Sequence, residues 1–424
     1  MRFLPVFLLL LSLSLSLSLA GPASAFCGFY VARADGDLFN EASKVVYVRD
    51  GRKSVITMAT DYRGPAADFA MIVPSPKVLQ RNQIRTVKPE TVAHLDAYSA
   101  PRLVEYRDDD PCAPVILVEP TVVYNSAVAP RRGPKALGVS VLATYAVGVY
   151  DIAVLSAKES DGLVTYLRQE GYKIPDGAER VLAEYIADKM KFFVARVNLK
   201  RHDGAANQEL PPLQISFRSP NFMLPLQLGK INADQEQQVL LMTLTRKGRV
   251  EAANYVNTRI PSNMTLPLFV EKSFGAFYKR LFETAAKRDT VVTEYAWDMA
   301  WCDPCAADPL TVSELKELGV TWAKSGESAG QDVFVTRLHF AYDRTGFQRD
   351  LLLKVTEDRE NFQGRYVLRH PYEGRMQCEY GPEYITDTRN RLRDEAARLH
   401  DLTGWARGDI DKRIRRSVPA VYRY

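Results

Sequence analysis

Residues 44–49 read KVVYVR and residues 54–59 read SVITMA, with the dipeptide Asp50-Gly51 between them. Both segments are rich in β-branched and aromatic residues, which favour strands. An Asp-Gly dipeptide between two such segments is a strong two-residue hairpin turn. The stretch therefore predicts a β-hairpin early in the globular part of the chain.

Outward from this hairpin, strand-type segments come in runs and helical segments come in pairs. Strands are predicted at residues 69–73, 115–123, 139–149, 192–199, 239–244, 291–297, 333–342, 350–355 and 365–369. Helices are predicted at residues 161–171, 175–190, 268–286, 311–319 and 386–403. Because strands and helices do not alternate regularly, the pattern predicts an α+β fold with mainly antiparallel sheets and paired helices, not a doubly wound sheet.

The length of 424 residues exceeds what one hydrophobic core usually serves, so we expect two packed lobes. The polar stretch 203–212 is the best linker candidate. It predicts an N-terminal lobe at 26–205, a C-terminal lobe at 206–380 and a basic helical tail at 381–424. The formal net charge of +5 is too small to indicate a nucleic-acid partner.

Residues 1–25 have the three parts of an export signal. Arg2 gives a positive start, residues 3–20 are mostly Leu and Ser, and Ala23-Ser24-Ala25 is a small-x-small cleavage site. The alternative is a membrane anchor, but the apolar run is short for a span and four serines interrupt it. We predict cleavage after Ala25, a secreted or periplasmic location, and no transmembrane segment after cleavage.

A set of short segments along the chain resembles a known family. These segments are CGFYVARAD at 27–35, LFN at 38–40, VRDG at 48–51, TMA at 57–59, LDAYSAPRLVEY at 95–106, DPC at 110–112, CDPC at 302–305 and RYVLRHP at 365–371. Together they resemble the bacterial domain-of-unknown-function 2330 family. The resemblance implies an exported bacterial protein, and it carries over no catalytic residue.

Five cysteines follow the predicted leader, namely Cys27, Cys112, Cys302, Cys305 and Cys378. Disulfides are the default for cysteines in an oxidising compartment. The sequence leaves their pairing open. A bridge from Cys27 or Cys112 to Cys378 would join the two ends of the chain.

The pair Cys302 and Cys305 is the sharpest chemical motif. Two cysteines at this spacing can cycle between dithiol and disulfide, particularly where a helix begins at the motif. Here Asp308-Pro309 intervenes, and Thr311 with Glu314 predicts a helix start farther along. We therefore favour a structural role for the pair and keep a thiol-disulfide oxidoreductase as the alternative.

Other motifs are incomplete. A zinc site at Cys302 and Cys305 would need further ligands, for which only scattered residues such as His370 and Cys378 are present. Gly326-Glu327-Ser328-Ala329-Gly330 matches the hydrolase pattern G-x-S-x-G. However, the residues just before it are polar and the chain beyond Ser328 is short, which favours a loop. His339, His370 and His400 follow that serine. Asp108-Asp109-Asp110 lacks the rest of a calcium loop and predicts a solvated turn.

The C-terminal segment carries two runs of basic residues, Arg389, Arg391, Arg393 and Arg398, then Lys412, Arg413, Arg415 and Arg416. Such runs could contact an anionic surface or another envelope component. A narrow apolar stripe and interleaved acids favour instead a helix docked on its own domain. The leading hypothesis is a non-catalytic binding or structural module of the bacterial envelope, stabilised by disulfides, with no cofactor, no metal and no known partner.

Overall fold

The structure is a computed structural model. It describes residues 29–32, 39–63, 69–113, 144–155, 164, 168, 177–198, 210–231, 236–301, 303, 308–324, 330 and 332–424. The predicted leader, the predicted strand at 115–123 and most of the predicted helix at 161–171 lie outside these residues.

A central sheet of nine strands organises the described chain. Its spatial order is β14 (Val256–Arg259), β16 (Thr290–Asp298), β17 (Phe334–Tyr342), β12 (Gln237–Thr245), β2 (Phe39–Asp50), β3 (Lys53–Arg63), β10 (Leu213–Arg218) and β5 (Ile84–Thr86), with β19 (Phe362–Gln363) paired to β16. Strands β2 and β3 form the predicted hairpin, with Val46 opposite Thr57. The turn residues are Gly51 and Arg52, one position later than predicted, and Gly51 takes a φ of +55° that an L-residue rarely adopts.

A second sheet contains five of the described strands, all from the N-terminal half of the chain. Its order is β1 (Phe29–Ala32), β4 (Phe69–Ser75), β9 (Lys191–Val197), β8 (Tyr150–Leu155) and β7 (Thr144–Val147). Two helices, α2 (Ala178–Ala187) and α3 (Gln227–Ile231), contribute Leu182 and Leu228 to a core shared with Phe192 of β9. The predicted helix at 175–190 is thus confirmed, with shorter bounds.

Two three-stranded sheets complete the strands. One has the order β11 (Met223–Leu224), β18 (Leu351–Val355) and β13 (Val250–Ala252), and the other has β15 (Met264–Leu266), β20 (Arg365–His370) and β6 (Arg102–Arg107). In the second of these sheets, both pairs are parallel. Strand β6 therefore pairs with a strand that lies more than half the chain away in sequence.

Helices cover the central sheet in two groups. Helices α1 (Pro89–Ser99) and α5 (Val312–Leu318) pack on the sheet face that carries Tyr295. They share a core with Val46 and Met242. Beside the β15–β20–β6 sheet lie α4 (Phe274–Ala285), α6 (Gly381–Thr403) and α7 (Arg407–Ser417). Three short 3-10 helices occupy Arg81–Gln83, Leu268–Ser273 and Ala420–Tyr422.

The basic tail is a docked helical hairpin. Leu392, Ala396 and Leu399 of α6 and Ile414 of α7 are buried in the same core as Phe277 of α4. Their i, i+4 and i+7 spacing places the α6 residues on one helix face. The tail therefore packs on the rest of the chain, as the apolar stripe predicts.

The α+β class with mainly antiparallel sheets is confirmed. Among the described strands, four pairs are parallel, β2 with β12, β14 with β16, β15 with β20 and β20 with β6. The central sheet draws strands from both sides of the predicted boundary at 205/206, and the division into two lobes stays a prediction. Among the residues placed, no helix is both long and apolar enough to cross a bilayer.

Candidate functional site

The motif residue Asp303 is anchored on the central sheet. Cys302 and Cys305 on either side of it lie outside the described residues. The Asp303 side chain is only 2% exposed, and the Arg102 guanidinium lies 4.0 Å from its carboxylate. That carboxylate accepts hydrogen bonds from the Tyr295 hydroxyl (3.2 Å) and the Gln363 amide (2.5 Å). Asp303 is therefore fixed against β16, β19 and the start of β6.

The next described helix begins well beyond this motif. The predicted capping box is present, since the Glu314 backbone N–H donates to Thr311 Oγ1 at 3.2 Å and the Thr311 N–H donates to the Glu314 carboxylate at 2.8 Å. Helix α5 runs from Val312 to Leu318, and Gly319, whose φ is +104°, is its C-cap.

A β-bulge in β16 redirects a carboxylate into the protein interior. Thr293 pairs with Leu338 and Tyr295 pairs with Arg337, so Glu294 is the extra residue between the two pairs. Bulges re-aim side chains in this way and occur often beside functional sites. The Glu294 side chain is fully buried, at 0% exposure.

Glu294 is the centre of a buried charge network. Its Oε2 accepts a hydrogen bond from Arg337 Nε at 2.6 Å, and its Oε1 lies 2.6 Å from His339 Nδ1. The Tyr278 hydroxyl donates to the same Oε1. Arg337 also donates to Asp96 Oδ1 of α1 at 2.5 Å. The network therefore links β16, β17, α1 and α4.

Opposite charges keep the acids of this network ionised. Burial alone would raise the pKa of Glu294, but attraction and hydrogen bonding to His339, with attraction to Arg337, lower it to about 2. Burial likewise opposes ionisation of Asp96, yet Arg337 and Lys44, whose Nζ is 3.0 Å away, lower its pKa. Burial lowers the pKa of Arg337, and the two carboxylates more than reverse that effect.

His339 is enclosed by its neighbours. Its ring stacks on Phe282 with the ring centroids 3.6 Å apart, and its Nε2 lies 3.3 Å from Gln238 Oε1. A carboxylate–histidine pair is the arrangement of a general base. Here both ring nitrogens already face protein oxygens, so the pair is suited to holding charge in place more than to moving a proton.

Two segments that carry the family resemblance meet at Tyr295. The ring of Tyr98, from residues 95–106, lies edge-on to the Tyr295 ring with the centroids 5.8 Å apart. The hydroxyl of Tyr295 contacts Asp303 of the CDPC segment. The sequence motifs did not indicate Glu294 or Arg337 as site residues. The available signal was a charged residue within each of the predicted strands at 291–297 and 333–342.

The other predicted site residues do not come together. Ser328 lies outside the described residues. His370 Nε2 lies 2.8 Å from a carboxylate oxygen of Glu105, and His400 Nδ1 lies 2.7 Å from the Trp405 carbonyl oxygen. Within the part of the chain that the structure places, no group of three or more His, Cys, Asp or Glu could hold a metal ion.

A disulfide joins Cys112 to Cys378, with the Cα atoms 5.6 Å apart and 266 positions between them in sequence. It is one of the two bridges to Cys378 that the sequence suggested. It connects the turn after β6 to the segment just before α6. The other three cysteines lie outside the described residues.

Beside this disulfide, Asp108 ties three elements together. Its side chain is 5% exposed and accepts hydrogen bonds from Arg369 of β20, from Arg391 Nη1 at 2.9 Å and from the Tyr384 hydroxyl at 2.7 Å. Burial opposes ionisation, but these donors lower the pKa of Asp108. Within the aspartate run, Asp108 therefore has a structural role. Asp110 lies at a turn, and its carboxylate accepts a hydrogen bond from the Cys112 N–H.

Two cavities lie on the surface of the described chain, one along α6 and one beside α4. The first, of about 330 Å³, lies along α6 and is lined by Thr265, Asp387, Asn390, Arg391, Asp394, Glu395 and Arg398. We call it the α6 cavity. The second, of about 270 Å³, lies where α4 meets the end of β17 and is lined by Phe282, Ala341 and charged residues of both signs. Both volumes are at or just below the lower end of the range for small-molecule pockets.

A family model described as an uncharacterized protein conserved in bacteria, DUF2330, matches residues 21–354. The chain belongs to the DUF2330 family. The match includes Asp108, the Glu294 network and Asp303, whereas Arg391 and Glu395 of the α6 cavity lie beyond it. No curated protein and no solved structure matches the chain.

Proposed function

We propose that this DUF2330 protein is an exported component of the bacterial envelope that acts as a binding or structural module, not as a catalyst. The observation that carries the proposal is the disulfide between Cys112 and Cys378. Disulfides form and persist mainly in oxidising compartments such as the periplasm and the cell exterior. The leader-like segment before Ala25 supports the same compartment, with cleavage after Ala25.

The contacts of the buried charged side chains support the non-catalytic part of the proposal. Glu294, Arg337 and Asp96 each contact protein partners that fix their charge and position. Catalytic acids and bases commonly have pKa values near the working pH, and the pKa of Glu294, at about 2, is far from it. An ion network of this kind favours a rigid scaffold that presents a binding surface elsewhere.

The test is mass spectrometry of the protein recovered from its native host, with thiol alkylation before and after mild reduction. We expect an N-terminus at Phe26 and a peptide pair linked through Cys112 and Cys378. A full-length chain that retains Met1, with Cys112 alkylated before reduction, would contradict export.

The same experiment addresses the oxidoreductase alternative. Cys302 and Cys305 should resist alkylation after mild reduction if they have a structural role. If this pair alone opens and alkylates at neutral pH, and a thiol-reductase assay shows turnover that Cys302→Ser abolishes, the non-catalytic proposal is wrong. A matched Ser328→Ala variant in a hydrolase screen tests the remaining enzyme class.

A further inference from the structure

The two basic runs of the C-terminal tail have different surroundings in the structure. In the first run, on α6, Arg389 donates to the Val421 carbonyl oxygen at 2.8 Å and Arg391 donates to Asp108 at 2.9 Å. These arginines therefore help to hold the tail on the rest of the chain. The second run, on α7, carries cations that point away from the protein.

The buried residues of α7 fix which of its side chains face outward. Ile410 and Ile414 are each 1% exposed and hold the helix on the core. With about 3.6 residues per turn, the positions of Lys412, Arg415 and Arg416 lie on the opposite side of the helix. All three side chains are exposed. We call these three residues the α7 basic face.

The α7 basic face has no partner of its own. Within the described chain, its three side chains make no hydrogen bond and no ion pair. The cations at the flanks of the same helix are engaged, since Arg407 pairs with Asp411 at 3.1 Å and Arg413 donates to Ser273 Oγ at 3.0 Å. The division follows the two sides of the helix.

The charges of the α7 basic face repel one another. Lys412 is three residues from Arg415 and four from Arg416, which are the spacings at which like charges destabilise a helix. The helix dipole favours the two arginines in the last turn and offsets part of this cost. The exposed acid of α7, Asp409, lies in the first turn. An anionic partner at the last two turns would remove the repulsion.

We infer that the α7 basic face docks on the surface of an anionic phospholipid bilayer. This inference rests on the proposed envelope location and names a partner for it. The lipid phosphates accept charge-assisted hydrogen bonds from Lys412 Nζ and from the guanidinium groups of Arg415 and Arg416. The docking is non-covalent.

The form of the surface favours a bilayer over a single small anion. Neither of the two cavities described above is lined by a residue of the α7 basic face, so these cations do not enclose a ligand. They present their charges side by side on one helix, which suits an extended array of phosphates. The large apolar side chains of α7, Ile410 and Ile414, are buried and do not insert into lipid. The contact is therefore peripheral, reversible and sensitive to salt.

The experiment is co-sedimentation of the mature chain with vesicles made of equal parts of phosphatidylglycerol and phosphatidylcholine. Vesicles of phosphatidylcholine alone are the neutral reference. We expect binding to the anionic vesicles and none to the neutral ones. An increase in ionic strength from about 0.01 M to about 0.15 M shortens the Debye length from about 30 Å to about 8 Å, and should weaken the binding roughly tenfold or more.

Two variants test the residues of the α7 basic face. The triple variant Lys412→Gln, Arg415→Gln, Arg416→Gln should weaken binding roughly a hundredfold, because each cation near an anionic membrane contributes about fivefold. The double variant Arg415→Lys, Arg416→Lys keeps the charge and should bind as the wild type does. Retention of binding in this variant separates attraction by charge from recognition by a fixed guanidinium fork.

The matched control removes the same charge from another part of the surface. Lys77, Arg180 and Arg349 are exposed side chains on three other elements, and their replacement by Gln should leave the binding almost unchanged. A loss as large as that of the triple variant on α7 would show that net charge decides the binding, and would overturn the inference.

Other outcomes also overturn the inference. These are no binding to anionic vesicles at low salt, equal binding to both kinds of vesicle, and undiminished binding by the triple variant on α7. Binding to soluble polyphosphate without binding to anionic vesicles would assign the α7 basic face to a soluble polyanion instead. Any of these results, in a chain whose N-terminus is Phe26, would leave the proposed envelope role standing.

Discussion

Glu294 and Glu395 are both buried carboxylates, and their surroundings shift their pKa values in opposite directions. The contacts with His339 and Arg337, both at 2.6 Å, lower the pKa of Glu294 to about 2. Arg391 is 3.7 Å from Glu395 and is drawn toward Asp108, so burial dominates and raises the pKa of Glu395 to about 8. The distance and direction of an arginine therefore decide whether a buried acid is charged.

Substitution of Glu395 by Gln should remove a pH-dependent loss of stability. In the wild type, the unfolded chain loses its proton above about pH 4.5 while the folded chain keeps it to about pH 8, so the free energy of unfolding falls across that interval. We expect Glu395→Gln to match the wild type near pH 4 and to exceed it by about 4–5 kcal/mol at pH 9, since each pKa unit between the unfolded and folded values is worth about 1.4 kcal/mol. Urea unfolding at both pH values checks this, and equal stabilities at pH 9 would contradict it.

Replacement of Glu294 by Gln should be strongly destabilising. It leaves the buried Arg337 with Asp96 as its remaining carboxylate contact, and loss of one member of a buried ion pair costs about 3 kcal/mol. Glu360→Gln is the matched control, because Glu360 pairs with Arg259 on the surface, where the side chains are 63% and 42% exposed. That change should cost well under about 1 kcal/mol. Similar losses of unfolding free energy in the two variants would argue against the network as a core feature.

At the scale of elements, helices α1 and α5 are joined by a titratable contact. His94 Nδ1 lies 2.8 Å from Glu314 Oε1, and His94 Nε2 lies 2.8 Å from the Asp308 carbonyl oxygen. The hydrogen bond to Glu314 raises the pKa of His94. Burial opposes ionisation of Glu314, but its bonds to His94 and Thr311 lower its pKa to about 2. The contact is therefore strongest where both groups are charged.

His94→Gln should flatten the pH dependence of stability above pH 6. A raised pKa of His94 stabilises the fold fully below the unfolded value of 6.5, and this contribution is lost as pH rises through the folded value. The side chains are partly exposed, so the loss is at most about 1 kcal/mol. Thr311→Ala is the control: loss of the cap should cost about 1 kcal/mol at every pH and leave the slope unchanged. Thermal unfolding from pH 5 to pH 9 measures both, and an unchanged slope in His94→Gln would contradict the assignment.

Local elements were predictable because their causes are local. The hairpin at residues 44–59 and the cap at Thr311 follow from composition and spacing within a few residues. The bulge at Glu294 and the parallel pairing of β6 with β20 do not, because a strand pattern specifies which face is buried but not which strand lies beside it. The burial of Glu395 could not be predicted either, because it depends on how α6 docks. In the sequence, Glu395 is one of several acidic residues among the arginines of that helix.

At the scale of the whole molecule, the first and last parts of the described chain are interlocked. Strand β2 lies beside β12, and β6 lies beside β20, both in parallel register. The disulfide between Cys112 and Cys378 closes a loop with a sequence separation of 266, which begins just after β6 and contains β12 and β20. A cross-link over so long a loop restricts the unfolded chain strongly.

The double variant Cys112→Ser, Cys378→Ser should lose about 3–5 kcal/mol of unfolding free energy. Chemical unfolding of the wild type with and without reductant should show a loss of the same size. Reductant added to the double variant serves as the control and should change little. If reductant destabilises the double variant as much as the wild type, another bridge supplies the stability.

The position of that bridge sets an order for oxidative maturation. If the chain is exported as we propose, it emerges with its N-terminus first, so Cys27, Cys112, Cys302 and Cys305 reach the oxidising compartment before Cys378. An oxidase that joins thiols in order of arrival would then pair Cys112 with another cysteine. Because the bridge to Cys378 skips Cys302 and Cys305, we expect it to form by exchange of mixed disulfides. In cells without a disulfide isomerase, non-reducing electrophoresis should therefore show mispaired chains accumulating at the expense of the native form.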